Sequence, residues 1–182
     1  MEWFKAEITG VSPLLMRRFT ETQDGGATAS RTPDRGTPSD QAAANLYHAG
    51  EQVVFPAVNV FRSIIEAGTY LKIGRKQIST ARSSLVPAGV SIREIDLPVH
   101  QPWVVDSRAV RMPATGGRVM RHRPRFDAWK LAFTIGTDTE VIDKATLRKL
   151  VNIAGSRIGI GDFRPSTRGP FGRFKVTQWE VS

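Results

Sequence analysis

Residues 157–176, RIGIGDFRPSTRGPFGRFKV, hold more chemistry per residue than any other stretch of this 182-residue sequence. Gly159, Gly161, Gly169 and Gly172 are interleaved with Arg157, Arg164, Arg168 and Arg173 and with Phe163, Phe171 and Phe174. Glycine lets a backbone approach a ligand closely and turn successive N–H groups into an anion-binding concavity. Arginine adds forked, bidentate contacts to phosphate. The segment therefore reads as a loop for a polyanion. It is not a nucleoside-triphosphate loop, because GxxxxGK[ST] is absent, and its GxG follows no strand, so a dinucleotide fold is unsupported.

A second cationic segment lies upstream. Between positions 108 and 125 stand Arg108, Arg111, Arg118, Arg121, Arg123 and Arg125, with His122 and no carboxylate. PATGG, 113–117, predicts the turn of a hairpin. Like charges facing across paired strands repel by about a few tenths of a kcal/mol per pair, which an external polyanion would relieve. The hairpin arginines are expected to add affinity without supporting the fold; buried acids elsewhere in the chain are the competing explanation. Arginine mixed with aromatics over 123–130 also suits stacking on unpaired bases, although Trp129 itself is expected in the core. Arg17 and Arg18, closing GVSPLLMRRF, join the candidate contacts. The whole chain carries 26 Lys+Arg against 17 Asp+Glu, net +9, with a pI near 10.6. That balance favours nucleic acid, an acidic membrane surface or an acidic protein.

No catalytic set emerges. Of His48, His100 and His122, only His122 sits in a cationic segment, where it serves equally as a phosphate contact or a plain exposed residue. Asp24 and Asp34 stand in a Gly- and Pro-rich stretch that makes them ordinary turn formers. No histidine pair has ligand spacing and there are no cysteines, so disulfides, zinc–cysteine sites and thiol chemistry are excluded and no metal or cofactor is expected. No apolar run approaches the ~20 residues of a membrane-spanning helix, and the N-terminal stretch has no signal-peptide pattern. The expected setting is a reducing cytoplasm.

The elements that must hold these residues follow from periodicity. Phe4, Ala6 and Ile8 alternate with Lys5, Glu7 and Thr9, a half-buried strand. Residues 20–36 have almost no large apolar side chain and read as a flexible loop. Thr37, Pro38 and Asp40 start a helix with Gly50 after it. Val53–Phe55 make a brief strand, and a helix opens at Pro56 with a stripe of Phe61, Ile64, Ile65, Gly68 and Leu71. Region 75–125 is a β-rich elaboration containing the basic hairpin. Trp129, Leu131, Phe133 and Ile135 alternate as a strand. Asp143 caps a helix that buries Leu147, Leu150, Val151 and Ala154, turns Lys144, Arg148 and Lys149 outward and ends at Gly155. Phe174 and Val176 open the last strand. The order predicts an α+β, ferredoxin-like (RRM-like) βαββαβ domain over 1–182, with a long loop after the first strand and an inserted basic hairpin.

A glycine-rich loop between the last helix and last strand of such a fold resembles the RAMP superfamily of CRISPR–Cas proteins. AEITGVSPLLMRR (6–18) looks like that superfamily's first strand and turn. VVFPAVNVFRSIIEAG (53–68) looks like the helix start of its backbone-forming, Cas-seven-like branch, with Pro-Ala-Val standing where small residues are expected. The three segments cover about a quarter of the chain, in the expected order. The resemblance implies guide-RNA contacts from Gly159, Gly161, Arg164, Arg168, Gly169, Gly172 and Arg173, from Arg62 at the helix start, and from the basic hairpin. It also implies single-stranded RNA as partner and self-association along it. A RAMP-type endoribonuclease and a phage structural or assembly protein are the alternatives.

Overall fold

The computed structural model describes residues 1–18, 36–111 and 116–182. The expected flexible loop therefore lies, up to residue 35, outside the described residues, as do Asp24, Asp34 and the 113–115 part of the hairpin turn.

Strand β1 (Glu2–Gly10) buries Phe4, Ala6 and Ile8 and turns Lys5 outward, as its period-2 pattern requires. It lies between β11 (Lys130–Thr137), with Phe4 opposite Ile135 and Ile8 opposite Leu131, and β12 (Phe174–Val181). β7 (Val90–Ile92) completes an antiparallel sheet of order β12–β1–β11–β7. Its inward face joins one apolar cluster with helices α2 (Ala57–Ala67) and α4 (Lys144–Ile153). The outer face is polar: Lys130 Nζ sits 3.1 Å from Glu7 Oε1, and the Thr9 and Thr177 hydroxyls are 2.9 Å apart.

Beside it lie a two-stranded ribbon of β5 (Lys72–Ile73) and β6 (Lys76–Gln77), a short helix α3 (Val86–Gly89) and two three-stranded sheets. β2 (Leu14–Leu15) pairs with β10 (Arg118–Phe126), and β10 with β9 (Val104–Arg111). β3 (Tyr47–Ala49) pairs with β4 (Gln52–Pro56), and β4 with β8 (Asp96–Pro98). The molecule is thus α+β, with antiparallel sheets and few helices.

Four local expectations are corrected. Helix α1 (Pro38–Ala43) has the expected Thr37 cap, with Asp40 N–H donating to Thr37 Oγ1 at 3.2 Å, but stops well before Gly50. Gly50 instead turns the β3–β4 hairpin at φ 62°, so strand pairing takes the residues the helix would have used. The buried stripe of α2 is Ala57, Val60, Ser63, Ile64 and Ala67, while Phe61 and Ile65 lie only partly buried at its flank. Helix α4, capped by Asp143, does not end at Gly155: a single π-turn carries the chain through Ala154–Ile158 to Gly159, whose φ is 75°. Gly155 is needed for another reason, since a Cβ there would overlap the Phe174 carbonyl of β12. Arg148, expected outward, lies with its guanidinium 4.7 Å from the centre of the Trp179 ring.

Candidate nucleic-acid interface

The hairpin pairs arginine with arginine. Arg121 stands opposite Arg108 and Arg118 opposite Arg111, while Arg123 faces Asp106 and His122 faces Ser107. Alternation puts Arg121, Arg123, Arg125, Asp106 and Arg108 on one face. Asp106 is 3% exposed and gathers three cations: Arg108 Nε at 2.8 Å, Arg125 Nη1 at 3.4 Å and Arg123 Nη2 at 3.8 Å. Arg125 is further held by Asp127 at 2.6 Å, and these hydrogen bonds push its guanidinium pKa up. Around Arg108, Arg123 and Arg125 the repulsion read from the sequence is therefore offset by two carboxylates that stand just outside the 108–125 window.

Arg123 departs most from expectation. It is 5% exposed, and its Nη1 donates to Asp162 Oδ2 of the glycine loop at 2.6 Å. The expectation that the hairpin arginines leave the fold alone is corrected here, because Arg123 ties the hairpin to the loop through buried charge.

The glycine loop is bound tightly to its own chain. Gly172 N–H donates to the Pro13 carbonyl at 2.8 Å, Ile160 N–H to Gly172 at 2.9 Å and Asp162 N–H to Leu15 at 2.9 Å. Gly161 has φ 76°, and a Cβ on it would press on the Leu15 carbonyl; one on Gly172 would overlap the Ile160 carbonyl. The close backbone approach that these glycines permit is thus to the protein itself.

This docking brings hairpin, loop and the segment after β1 around two adjoining clefts. One, of about 350 Å³, is lined by Arg17, Tyr47, Phe55, Asn59, Gly161, Asp162 and Arg164. Burial pushes the Tyr47 phenol pKa up, and its hydroxyl donates to the Arg17 carbonyl at 3.1 Å. The other cleft, of about 480 Å³, shares Arg17 and Asp162 and adds Arg108, Arg111, Arg121, His122, Arg123 and Phe163. His122 Nδ1 lies 2.7 Å from the Ser107 hydroxyl. Arg164 Nη1 donates to the Gly161 carbonyl at 3.2 Å and reaches toward Glu66 of α2. Arg18, Arg62, Arg118, Arg168 and Arg173 are exposed outside the two linings, Gly159 and Gly172 are buried, and Gly169 is half-buried.

Sequence reasoning passed over Asp106, Asp162, Asn59 and Phe163. The two carboxylates had a signal in being the nearest acids to each arginine cluster; Phe163 had one in standing among the arginines and glycines of the loop, and Asn59 had none. Among the described residues no cluster of three His, Asp or Glu could hold a metal ion, and no helix is long and apolar enough to cross a membrane.

The fold has a solved counterpart. The chain resembles one in the cryo-EM structure of the Type III-B Cmr-beta bound to cognate target RNA, with a TM-score of 0.57 and 14% sequence identity. The match covers 99% of this chain and 60% of that one, so this chain spans less than two thirds of its counterpart's length. No protein-family model matches the sequence, and no curated protein is similar to it. The likeness is one of fold.

Proposed function

We propose that this protein is a single-stranded RNA-binding subunit that self-associates along its RNA in a CRISPR-type ribonucleoprotein, built on a ferredoxin-like core. The observation that carries the reading is the convergence of Arg17, Arg108, Arg111, Arg121 and Arg164, from four separate chain segments, on two adjoining clefts. Phosphate is the ligand such forks match. The strand order β12–β1–β11–β7, with α2 between β1 and β7 in the chain and α4 between β11 and β12, supports the ferredoxin-like assignment. The fold likeness to a chain of an RNA-bound complex supports RNA as the ligand. In this reading Arg18, Arg62, Arg118, Arg168 and Arg173 extend the cationic track beyond the clefts, and the glycines shape the loop that carries Arg164 and Arg168.

Anisotropy titration of labelled single-stranded RNA, single-stranded DNA and duplex RNA tests this, with the RNA strand expected to bind tightest. Failure to bind any of them at low salt would remove the reading and leave an acidic protein surface as the ligand. A nuclease reading starts from His122, the one imidazole in the clefts; RNA cleavage that disappears in His122→Ala would favour it.

A further inference from the structure

Phe163 adopts a backbone conformation that bulky residues avoid. Its φ is 50°, within the left-handed region, where a side chain is strained and where such residues cluster at functional sites. The surroundings hold it there. Its N–H donates to Asp162 Oδ1 at 3.0 Å, and its carbonyl accepts from Phe171 N–H at 3.2 Å. Gly169 packs so closely against that carbonyl that a Cβ would overlap it. The strained backbone nevertheless does not bury the aromatic ring: Phe163 remains 38% exposed while Phe171 is 6% exposed.

The ring centre of Phe163 lies 6.1 Å from that of Phe171 at an interplanar angle of 40°, so the buried ring supports the exposed one. The Arg108 guanidinium lies 4.9 Å from the Phe171 centre, and Phe163 shares the cleft lining with Arg108, Arg111, Arg121 and Thr167. An aromatic braced from behind and surrounded by cationic forks is suited to stack an unpaired base whose flanking phosphates meet the arginines.

We propose that Phe163 is a stacking platform for one unpaired nucleobase, with Arg108, Arg111 and Arg121 taking the adjacent phosphates. This rests on the nucleic-acid reading of the cleft and adds that the site engages a base as well as the backbone. Duplexes, whose bases are already stacked on one another, do not offer that face.

The test compares a short single-stranded RNA of mixed sequence with an abasic strand of equal length and charge, by anisotropy titration. The parent protein should bind the base-bearing strand about tenfold more tightly. Phe163→Gly, which suits the left-handed backbone, should abolish that preference; Phe163→Tyr should retain it. Equal binding of both strands by the parent overturns the platform but leaves the phosphate reading intact, and so does a preference that survives in Phe163→Gly. If Phe163→Gly weakens both strands alike, the ring is only structural and the inference fails. If the parent binds neither strand, the nucleic-acid reading falls as well.

Discussion

Arg123 joins the hairpin to the glycine loop through buried charge. Its guanidinium lies between Asp106 on β9 and Asp162 in the glycine loop, nearly closed off from water. Removing one partner of a buried ion pair strands the other charge, at about 3–5 kcal/mol. The partial exposure of Asp162 puts Arg123→Ala at the low end, about 3 kcal/mol by urea unfolding. Arg118→Ala and Arg168→Ala, at exposed positions, should change stability by less than about 0.5 kcal/mol and weaken RNA binding in the same titration. Loss of binding in both, with unfolding in neither, separates ligand contacts from structural cations. Gly161→Val should fail on both counts, since a left-handed φ and the Leu15 carbonyl both exclude its side chain; its melting temperature should fall along with its affinity.

Helix α4 positions the glycine loop, and its start depends on one carboxylate. Asp143 accepts from Thr146 N–H at 2.9 Å and from the Thr146 hydroxyl at 2.6 Å, bonds that hold its pKa below the usual carboxylate value. A group whose pKa is depressed by folding stabilises fully above its unfolded pKa, and the gain is lost as pH falls through the folded value. Asp143→Ala should therefore cost about 1 kcal/mol at neutral pH, and the difference from the parent should shrink in acid below pH ~4. Asp143→Asn, another good cap, should retain most of the stability. Urea unfolding of the three proteins at neutral and acid pH checks both statements. At its other end the helix continues through a π-turn into Gly159, so the first residues of the loop inherit their direction from packed backbone.

At the scale of the molecule, a net charge of +9 and arginines that line clefts and extend beyond them predict binding governed by phosphate neutralisation. If about 3–5 phosphates are contacted per protomer, log affinity for a single strand should fall with log salt at a slope of about −2 to −3.5. Anisotropy titrations across a salt series measure it, and a slope near zero would contradict an interface built on arginine forks. Self-association along RNA should appear as a mass that steps with strand length in light scattering, with the RNA-free protein smaller. Assembly that proceeds equally well without RNA would favour a protein partner for the basic face.

Local pattern carried much of this protein. Alternation of Phe4, Ala6 and Ile8, and of Leu131, Phe133 and Ile135, specified two neighbouring strands; Asp143 and the Leu147–Leu150–Val151 spacing specified the start and buried face of α4. Such signals are legible because periodicity and capping involve residues only a few positions apart. The cationic character of hairpin and loop was legible too, being composition. Tertiary structure alone decided which arginines are partnered, because Asp106 meets Arg123 only across the paired strands and Asp162 only after the loop docks on the hairpin. It also decided what the glycines are for: Gly155 looks like a helix stop in sequence, but the carbonyl it must clear belongs to β12. Phe163 is the extreme case. Nothing in a phenylalanine announces a left-handed backbone, which here is imposed by Asp162, Gly169 and Phe171 through contacts that exist only in the folded loop.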